Sequence, residues 1–578
     1  MQNMMSVQNA PLIDETLKRR YSDNEDVKRR KLDVSEEHGS EVQEEHASDP
    51  DFSGKVYSSL VRSALDRMEK DDYSAIDALA AQLALPRSNT ESISSDKLVQ
   101  MLRVLTGEVT RLDNKASVAL VQALLKIDWF EYESDDFSRA YSTFLSVLVS
   151  GIPKWWNEVA TMLVGDFTRR EQLDSHHSTL KYIIQVIPTS TNAIPGILKR
   201  QFPNKTAPKA DLVNYVRNLL FLLGYCDQVR HAVWQLIVEN CIKLDVELQN
   251  ELEELDDEDL EEALNSDEEE EDADDADELS DEDEFLDEEE YQVEIQKVSN
   301  LSSKLDSVMR LLMDSAAPVF KQDLSAGIAL FNTLATLFKS HVLPTHYTRC
   351  IQYLMFYVAQ QHPDLTDSFL VMLIDIVFNV NEIGSNRVKA MQYVSSFIAR
   401  AKSLSKQQLV FVIKYLTSWC SVFVAERENE ISNGHGGMER FKILYCVFQG
   451  LLYIFCFRHR ELKNDKDEWE LNLDKFFNKL IISGFNPLKY CNETVVLIFA
   501  RLAQQVDLCY CFSIIERNKR ERLNGIKNMQ AGSVFESKQE FLDLEAYFPF
   551  DPLILKRSKE LVEEHYVEWE SIDDSESE

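Results

Sequence analysis

Apolar side chains recur along most of this chain at the three- and four-residue spacing of a helix with one buried face. Between Asp211 and Gly224 they fall at Leu212, Tyr215, Val216, Leu219, Leu220 and Leu223. At about 100° per residue these share one stripe, and Gly224 follows where glycine often closes a helix. A second stripe begins a few residues later with Val229, Val233, Leu236, Ile237, Cys241 and Leu244, so the two predict an antiparallel helical pair. The same period marks Ser92 to Thr106, Asn114 to Ile127, Asp136 to Ser150, Ser175 to Ile187, Tyr347 to Gln361, Arg387 to Lys402, Gln407 to Val424 and Thr494 to Val506. No comparable series of alternating, strand-like segments competes.

Many helices of similar length joined by short turns predict an all-α fold, a HEAT/armadillo-like α-solenoid of stacked antiparallel helix pairs. No crisp repeat is visible, as HEAT arrays often lack one. With 578 residues the chain exceeds what one core accommodates, whereas an array needs no single core. Only 16 Gly and 14 Pro punctuate it, too few for a large all-β protein. Such a stack leaves extended faces for large partners, which moves the search for function from pockets to surfaces.

Charge divides the chain. The forty residues from Glu251 to Glu290 hold twenty-seven Asp or Glu and no Lys or Arg, a run that repels itself and predicts a disordered acidic insertion. Of the net charge of -38 this stretch supplies -27, the first fifty residues -5 and Leu561 to Glu578 another -8, leaving a nearly neutral body. The expected organisation is a disordered tail over 1–51, a first helical half over 52–250, the insertion at 251–290, a second helical half over 291–560 and an acidic tail over 561–578. A neutral body is no histone-like basic binder, and little intrinsic sequence-specific DNA binding is expected. Lys199, Arg200, Lys205 and Lys209 surround a Pro-containing turn, and Arg517, Lys519, Arg520 and Arg522 follow an apolar helix. Either group could meet phosphate or the acidic run, but both read first as solvated helix ends.

Catalytic chemistry finds no constellation. Gly434-His435-Gly436-Gly437 follows no strand and lacks the Lys-Ser/Thr of a phosphate loop. His176 and His177 are adjacent, so on a helix they diverge by about 100° and cannot form an i, i+4 metal pair. Nine scattered cysteines without a CxxC pair argue for reduced core thiols, and Cys509 and Cys511 are read as packing in an apolar helix. The chain is therefore read as no enzyme, with no cofactor and no metal. The most apolar stretch, Ile443 to Phe457, is interrupted by Gln449 and Gly450, so no membrane partner is expected.

Regulatory sites are better supported. Ser266 and Ser280 each precede four carboxylates, a context that suits acidophilic protein kinases, although any serine in such a run would match it. Ser138, Ser142, Ser146 and Ser150 recur on one helix about 140° from the apolar stripe of Phe137, Tyr141, Phe144, Leu145 and Leu148, which predicts an outward-facing docking row. Close packing against the next repeat is the alternative use of such small residues. Lys18, Arg19 and Arg20 with Lys28, Arg29, Arg30 and Lys31 form two basic clusters that read as a split nuclear-import signal or as a solvated charge run.

Several longer motifs carry a resemblance. Phe548-Pro549-Phe550-Asp551-Pro552, continuing to Lys559 and on to Tyr566 and Trp569, is similar to the C-terminal signature of the RNA polymerase I-specific transcription initiation factor family. So are Asn486 to Cys491, Cys511 to Arg520, Phe455 to Leu462, Tyr393 to Leu404, Leu343 to Val358 and Val238 to Glu247. The resemblance covers roughly Phe52 to Trp569 and implies a HEAT-repeat body with an acidic insertion. It also implies docking on RNA polymerase I, a bridge to the promoter-bound core factor, control by phosphorylation through a serine-rich surface, and a place in the nucleus and nucleolus, with the cytoplasm left open. Self-association as a homodimer is also left open. Animal members extend beyond the Trp569 region with a serine-rich tail, so regulation through such a tail is not expected here. A nuclear-transport receptor and a generic assembly scaffold are the competing readings of a helical stack.

Overall fold

The computed structural model describes residues 50–569 apart from 88, 90–91, 133, 254, 256–285, 347, 433–436, 465 and 529–543. The first helices are α1 (Pro50–Met68), α2 (Ser74–Leu83), α3 (Ser95–Gly107), α4 (Val118–Leu125), α5 (Asp135–Gly151), α6 (Trp156–Gly165), α7 (Asp174–Val186), α8 (Ile194–Gln201), α9 (Lys209–Leu223) and α10 (Arg230–Leu252). Beyond the acidic stretch come α11 (Leu286–Gln322), α12 (Leu324–Leu337), α13 (Gln352–Ala359), α14 (Pro363–Phe378), α15 (Gly384–Arg400), α16 (Lys406–Ser432), α17 (Met438–Arg458), α18 (Leu473–Ile482), α19 (Glu493–Gln505), α20 (Phe512–Asn528) and α21 (Lys556–Glu563). Among the described residues no strand forms; there are two isolated bridges, Ala401 with Tyr566 and Lys463 with Trp469.

The chain divides into two units, Met1–Val56, of which little is described, and a body, Tyr57–Glu578. Within the body, helices pack on the next helix but one: α2 on α4, α4 on α6, α6 on α8 and α8 on α10, while α3 packs on α5 and α5 on α7. This alternation is the two-row arrangement of stacked pairs, in which each amphipathic helix buries its stripe against both rows. Later in the chain α14, α15 and α17 pack in succession, and α17 carries α19.

Gly450, in the middle of α17, shows what the close crossing of α15 demands: a Cβ there would lie 2.7 Å from Met391 Cε and 3.2 Å from Ser395 Cβ. Its neighbour Gln449 is buried; its amide nitrogen donates to Glu545 O at 3.2 Å, and its amide oxygen accepts from Asn492 N at 2.7 Å. The polar interruption of the most apolar stretch is therefore a packing device. Two helical stretches, Lys406–Ile431 and Met438–Leu462, have the length and hydropathy to cross a membrane, and the second is mostly buried inside the body.

Several boundaries differ from the sequence-based expectation. Helix α10 runs on to Leu252 and α11 starts at Leu286, so both ends of the predicted insertion, 251–290, are helical, while 256–285 lie outside the described residues. The acidic tail assigned to 561–578 begins too early. Leu561 to Glu563 complete α21, Tyr566 is buried, and Val567 N donates to Arg400 O at 2.8 Å. Net charge misplaced that boundary, because the carboxylates of Glu563, Glu564 and Glu568 alternate with apolar side chains that pack inward. Cys509 and Cys511 are buried as expected but lie in the coil between α19 and α20, with Asp507 at a φ of 54° closing α19 before them. Gly224 does follow α9, but at a φ of -64° it uses no left-handed freedom.

Candidate docking surfaces

Helix α5 opens with Asp135 and Asp136, carboxylates placed where the positive end of the helix dipole favours them. Its apolar stripe is fully buried, and Tyr141 OH donates to Leu124 O of α4 at 2.7 Å. The predicted outward serine row is corrected by its surroundings: Ser138, Ser142 and Ser146 are half-buried and only Ser150 is exposed. The Ser142 hydroxyl lies 2.6 Å from Thr179 Oγ1, and the Ser150 hydroxyl 2.9 Å from Tyr182 OH, both on α7. Ser146 and Ser150 also donate to the carbonyls one turn earlier, of Ser142 and Ser146. The angle from the apolar stripe was read correctly, but a helix within a stack has a neighbour on each flank. For α5 these are α3 and α7, so the row lines a seam that reaches the surface at Ser150.

The second surface is built by the chain end. Residues from Leu544 to Trp569 cross the body as a strap whose central side chain, Phe550, is fully buried in a socket of Tyr353 and Phe356 on α13 and Tyr393 and Phe397 on α15. The ring centroids stand 4.8 to 6.0 Å from Phe550, within the range of favourable aromatic pairs. Backbone bonds fix the register: Phe550 N donates to Ser396 Oγ at 2.9 Å, Gln352 donates to Pro549 O at 2.8 Å, and the Tyr353 hydroxyl donates to Asp551 O. Phe548 stacks on Tyr453 at 3.8 Å, and Trp569 meets Phe457 edge-on at 4.7 Å. Arg400, almost fully buried, lies over the rings of Phe457 and Tyr566 and donates to Val567 O at 3.2 Å. Burial pushes the hydroxyls of Tyr353, Tyr393 and Tyr566 well above their ordinary range.

Two buried aspartates tie this region together, and sequence reasoning missed both. The carboxylate of Asp245 on α10 accepts from the backbone N–H groups of Arg349, Cys350 and Ile351 at 3.3, 2.9 and 2.9 Å, ahead of α13. Burial raises its pKa, and these three donors oppose the rise. Asp306 on α11 accepts from Arg557 N and Ser558 N, both at 2.8 Å, and from the Ser558 hydroxyl at 2.5 Å. These N–H groups belong to the first turn of α21, where no intrahelical acceptor exists. The overlooked signal was a carboxylate on an apolar stripe: Asp245 falls between Cys241, Leu244 and Leu248.

The remaining candidates resolve mainly into packing. His177 Nε2 lies 2.9 Å from Asn218 Oδ1, and Asn218 donates its amide to three carbonyls, so the imidazole must donate there and accept at Nδ1 from Tyr225 OH. Burial lowers the pKa of this neutral ring. His176 instead meets Asp166 at 3.0 Å and packs on Trp129. Burial pushes the thiols of Cys241, Cys446 and Cys456 up to about 12, which suits inert core residues. Among the described residues no group of three or more His, Cys, Asp or Glu could hold a metal ion. Of the second basic group, Arg517 and Arg520 pair with Glu521 and Glu516 on α20 itself, and Arg522 donates to Lys489 O. Among the described residues, Phe411, Tyr415 and Val422 on α16 are the largest set of exposed apolar side chains on one helix. Ser266, Ser280, Lys18, Arg19, Arg20, Lys28, Arg29, Arg30 and Lys31 lie outside the described residues, as does most of Gly434 to Gly437.

Comparison with known proteins assigns these surfaces a context. A family model described as RNA polymerase I specific transcription initiation factor RRN3 matches residues 50–574. The RNA polymerase I-specific transcription initiation factor RRN3 of Saccharomyces cerevisiae is 43% identical over 599 aligned positions, spanning 94% of this chain and 95% of its own length. The factor of that name in Schizosaccharomyces pombe is 28% identical, spanning 90% and 88%. The crystal structure of an RNA polymerase I transcription initiation factor Rrn3 superposes with a TM-score of 0.77 at 42% identity, covering 89% of this chain and 98% of its own.

Proposed function

The chain belongs to the RNA polymerase I-specific transcription initiation factor family, and from that membership we propose that it binds RNA polymerase I and delivers it to the core factor at ribosomal DNA promoters. The observation that carries this reading is the family match over residues 50–574, a range that includes the helical rows and the strap alike. The mechanism is recruitment without catalysis. One face of the stack holds polymerase and another the promoter factor, so two weak encounters become one assembly through effective concentration. Such work is done in the nucleus, and within it the nucleolus is the site this reading favours. The basic clusters between Lys18 and Lys31 would serve import.

Regulation by protein kinases fits the α5–α7 seam. A phosphate adds about -1.5 to -2 charges at neutral pH. At exposed Ser150 that charge would stand on the surface beside Tyr182, whereas at Ser142 it would have to displace Thr179 from a 2.6 Å contact. We therefore place the switch at the Ser150 end of the row and keep Ser266 and Ser280 as further kinase targets. Immobilised protein should retain polymerase I from a nuclear extract and restore transcription from a ribosomal promoter in an extract depleted of the factor. Ser150→Asp should reduce polymerase retention several-fold while Ser150→Ala leaves it unchanged. Full retention by Ser150→Asp would reject the switch but not the recruitment, and failure of the unsubstituted protein to retain polymerase would reject both.

A further inference from the structure

We propose that Cys509 and Cys511 form a reversible redox site, a thiol pair that hydrogen peroxide converts to a disulfide. The two lie in the short coil between α19 and α20, on either side of Tyr510. Tyr510 is 62% exposed, whereas Cys509 is 9% exposed and Cys511 fully buried. Side chains alternate along an open chain, so residues two apart face the same way, and both thiols turn inward and share a hydrogen bond. Two residues of chain span about 7 Å at most, and a disulfide joins Cα atoms about 4.4–6.8 Å apart, so closing the bond asks for little backbone movement. None of the other seven cysteines has another within two positions.

Position makes one of the two the nucleophile. Cys511 immediately precedes α20, and its carbonyl accepts from Ile514 N and Ile515 N, both at 3.1 Å, so it caps the start of that helix. The positive end of a helix favours a thiolate there. The hydrogen bond from Cys509 holds the Cys511 thiol below its ordinary range against the effect of burial, and the same bond, with burial, holds Cys509 above. Burial only raises the thiols of Cys226, Cys241, Cys350, Cys420, Cys446 and Cys456. The pair thus sets an attacking thiolate beside a resolving thiol. Cys511 Sγ attacks one peroxide oxygen, the O–O bond breaks, and the hydroxide that leaves takes a proton from solvent. Cys509 Sγ then attacks the Cys511 sulfenic acid and gives up its proton, and the S–O bond breaks to release water. The pair loses two electrons, and the peroxide becomes two waters. Two molecules of a monothiol reverse the step by exchange and leave as their own disulfide. In a reducing compartment such a bond is transient, which suits a sensor. The new ring pulls on the first turn of α20. About two turns along that helix, Asn518 and Asn486 exchange amide bonds at 2.7 and 3.1 Å, and Arg522 donates to Lys489 O at 2.8 Å. Oxidation therefore acts on the seam between α20 and the turn at 486–489.

Hydrogen peroxide titration of the full-length protein, read by peptide mass spectrometry, tests the site. The peptide that holds both residues should lose two hydrogen atoms at least about tenfold faster than Cys241 or Cys446 is modified, and a thiol reductant should restore it. Cys509→Ser should stop at the sulfenic acid, trapped on Cys511 by dimedone, whereas Cys511→Ser should leave Cys509 as slow as Cys241. Phenylarsine oxide, which bridges neighbouring thiols, should protect both from iodoacetamide in the unsubstituted protein and should leave the remaining thiol unprotected in either variant. Hydrogen exchange along α20 should change on oxidation of the unsubstituted protein and not of Cys511→Ser. Oxidation of the pair no faster than that of Cys241 and Cys446 in the unsubstituted protein, or disulfides formed mainly with other cysteines, would overturn the proposal.

Discussion

Helices α2 to α10 and helices α11 to α21 hold together through bonds of different reach. In the first set the side-chain bonds between helices join residues near in sequence: Tyr141 to Leu124 across 17 residues, Ser142 to Thr179 across 37 and Asn218 to Phe167 across 51. In the second set the corresponding bonds cross 197 residues from Gln352 to Pro549, 154 from Phe550 to Ser396 and 252 from Asp306 to Ser558. The first set is a stack in which each layer depends on its neighbours, so its stability approximates a sum of local terms. The second is closed by its own C-terminal segment, so damage at one distant point should reach many helices at once. Similar helices with similar apolar stripes thus give an additive region and a cooperative one, and the strap makes the difference.

The largest effect should come from emptying the socket. Phe550→Ala removes a fully buried ring and should lower stability by about 3–5 kcal/mol, as large-to-small aromatic substitutions in cores do. Hydrogen exchange read by mass spectrometry should show α13, α15 and α21 losing protection together while α3, α5 and α7 keep theirs. Equal loss in both sets would break the comparison. Asp245→Ala should come next, at about 1–3 kcal/mol, because the N–H groups ahead of α13 are left without their buried acceptor. Its loss of protection should begin at Cys350 and Ile351, and Asp245→Asn, which keeps one oxygen, should recover part of the difference in denaturant midpoint.

The smallest effect is a pH dependence in the first set. Burial holds the folded-state pKa of His177 below the ordinary value, so between that lowered pKa and about 6.5 the unfolded chain binds more protons than the folded one. Stability is then fully present above about 6.5 and is lost as pH falls through the window toward the folded pKa. His565, also lowered by burial, adds the same trend in the second set. His177→Gln should therefore flatten the acid-induced loss of protection in α7 and α9 between pH 7.5 and 5.5 and leave that near α21 unchanged.

The contrast also explains what could be read without coordinates. A local stack is legible from local pattern: the stripe from Leu212 to Leu223 marks α9 to within three residues, and Phe137 to Leu148 marks the buried face of α5. Contacts set by the stack are less legible. Serine at 142 looks the same whether it faces water or Thr179, because a period describes one helix and not its flanks. The strap was visible only as a resemblance in Phe548 to Pro552, since nothing in that segment names a socket some 150 residues upstream. Charge counting hid its end, for Tyr566 and Trp569 pack between carboxylates that face solvent. The first basic group was half legible: Lys205 and Lys209 stood out, but Lys304, which donates to Lys205 O, and Ser303, which accepts from Lys209, come from a helix beyond the acidic stretch and meet them only in the fold.

The order in which the ribosome makes the chain sets a delay. Tyr353, Phe356, Tyr393 and Phe397 are translated first, and their plug, Phe550, follows 153 residues after the last of them. At about 5–20 residues per second, synthesis leaves that aromatic hollow open for about 8–30 seconds. During that interval the nascent chain presents a greasy opening to whatever is nearby, and a message cut short before codon 550 would never close it. Truncated products should therefore be held by chaperones and degraded, even with nearly every helix already made.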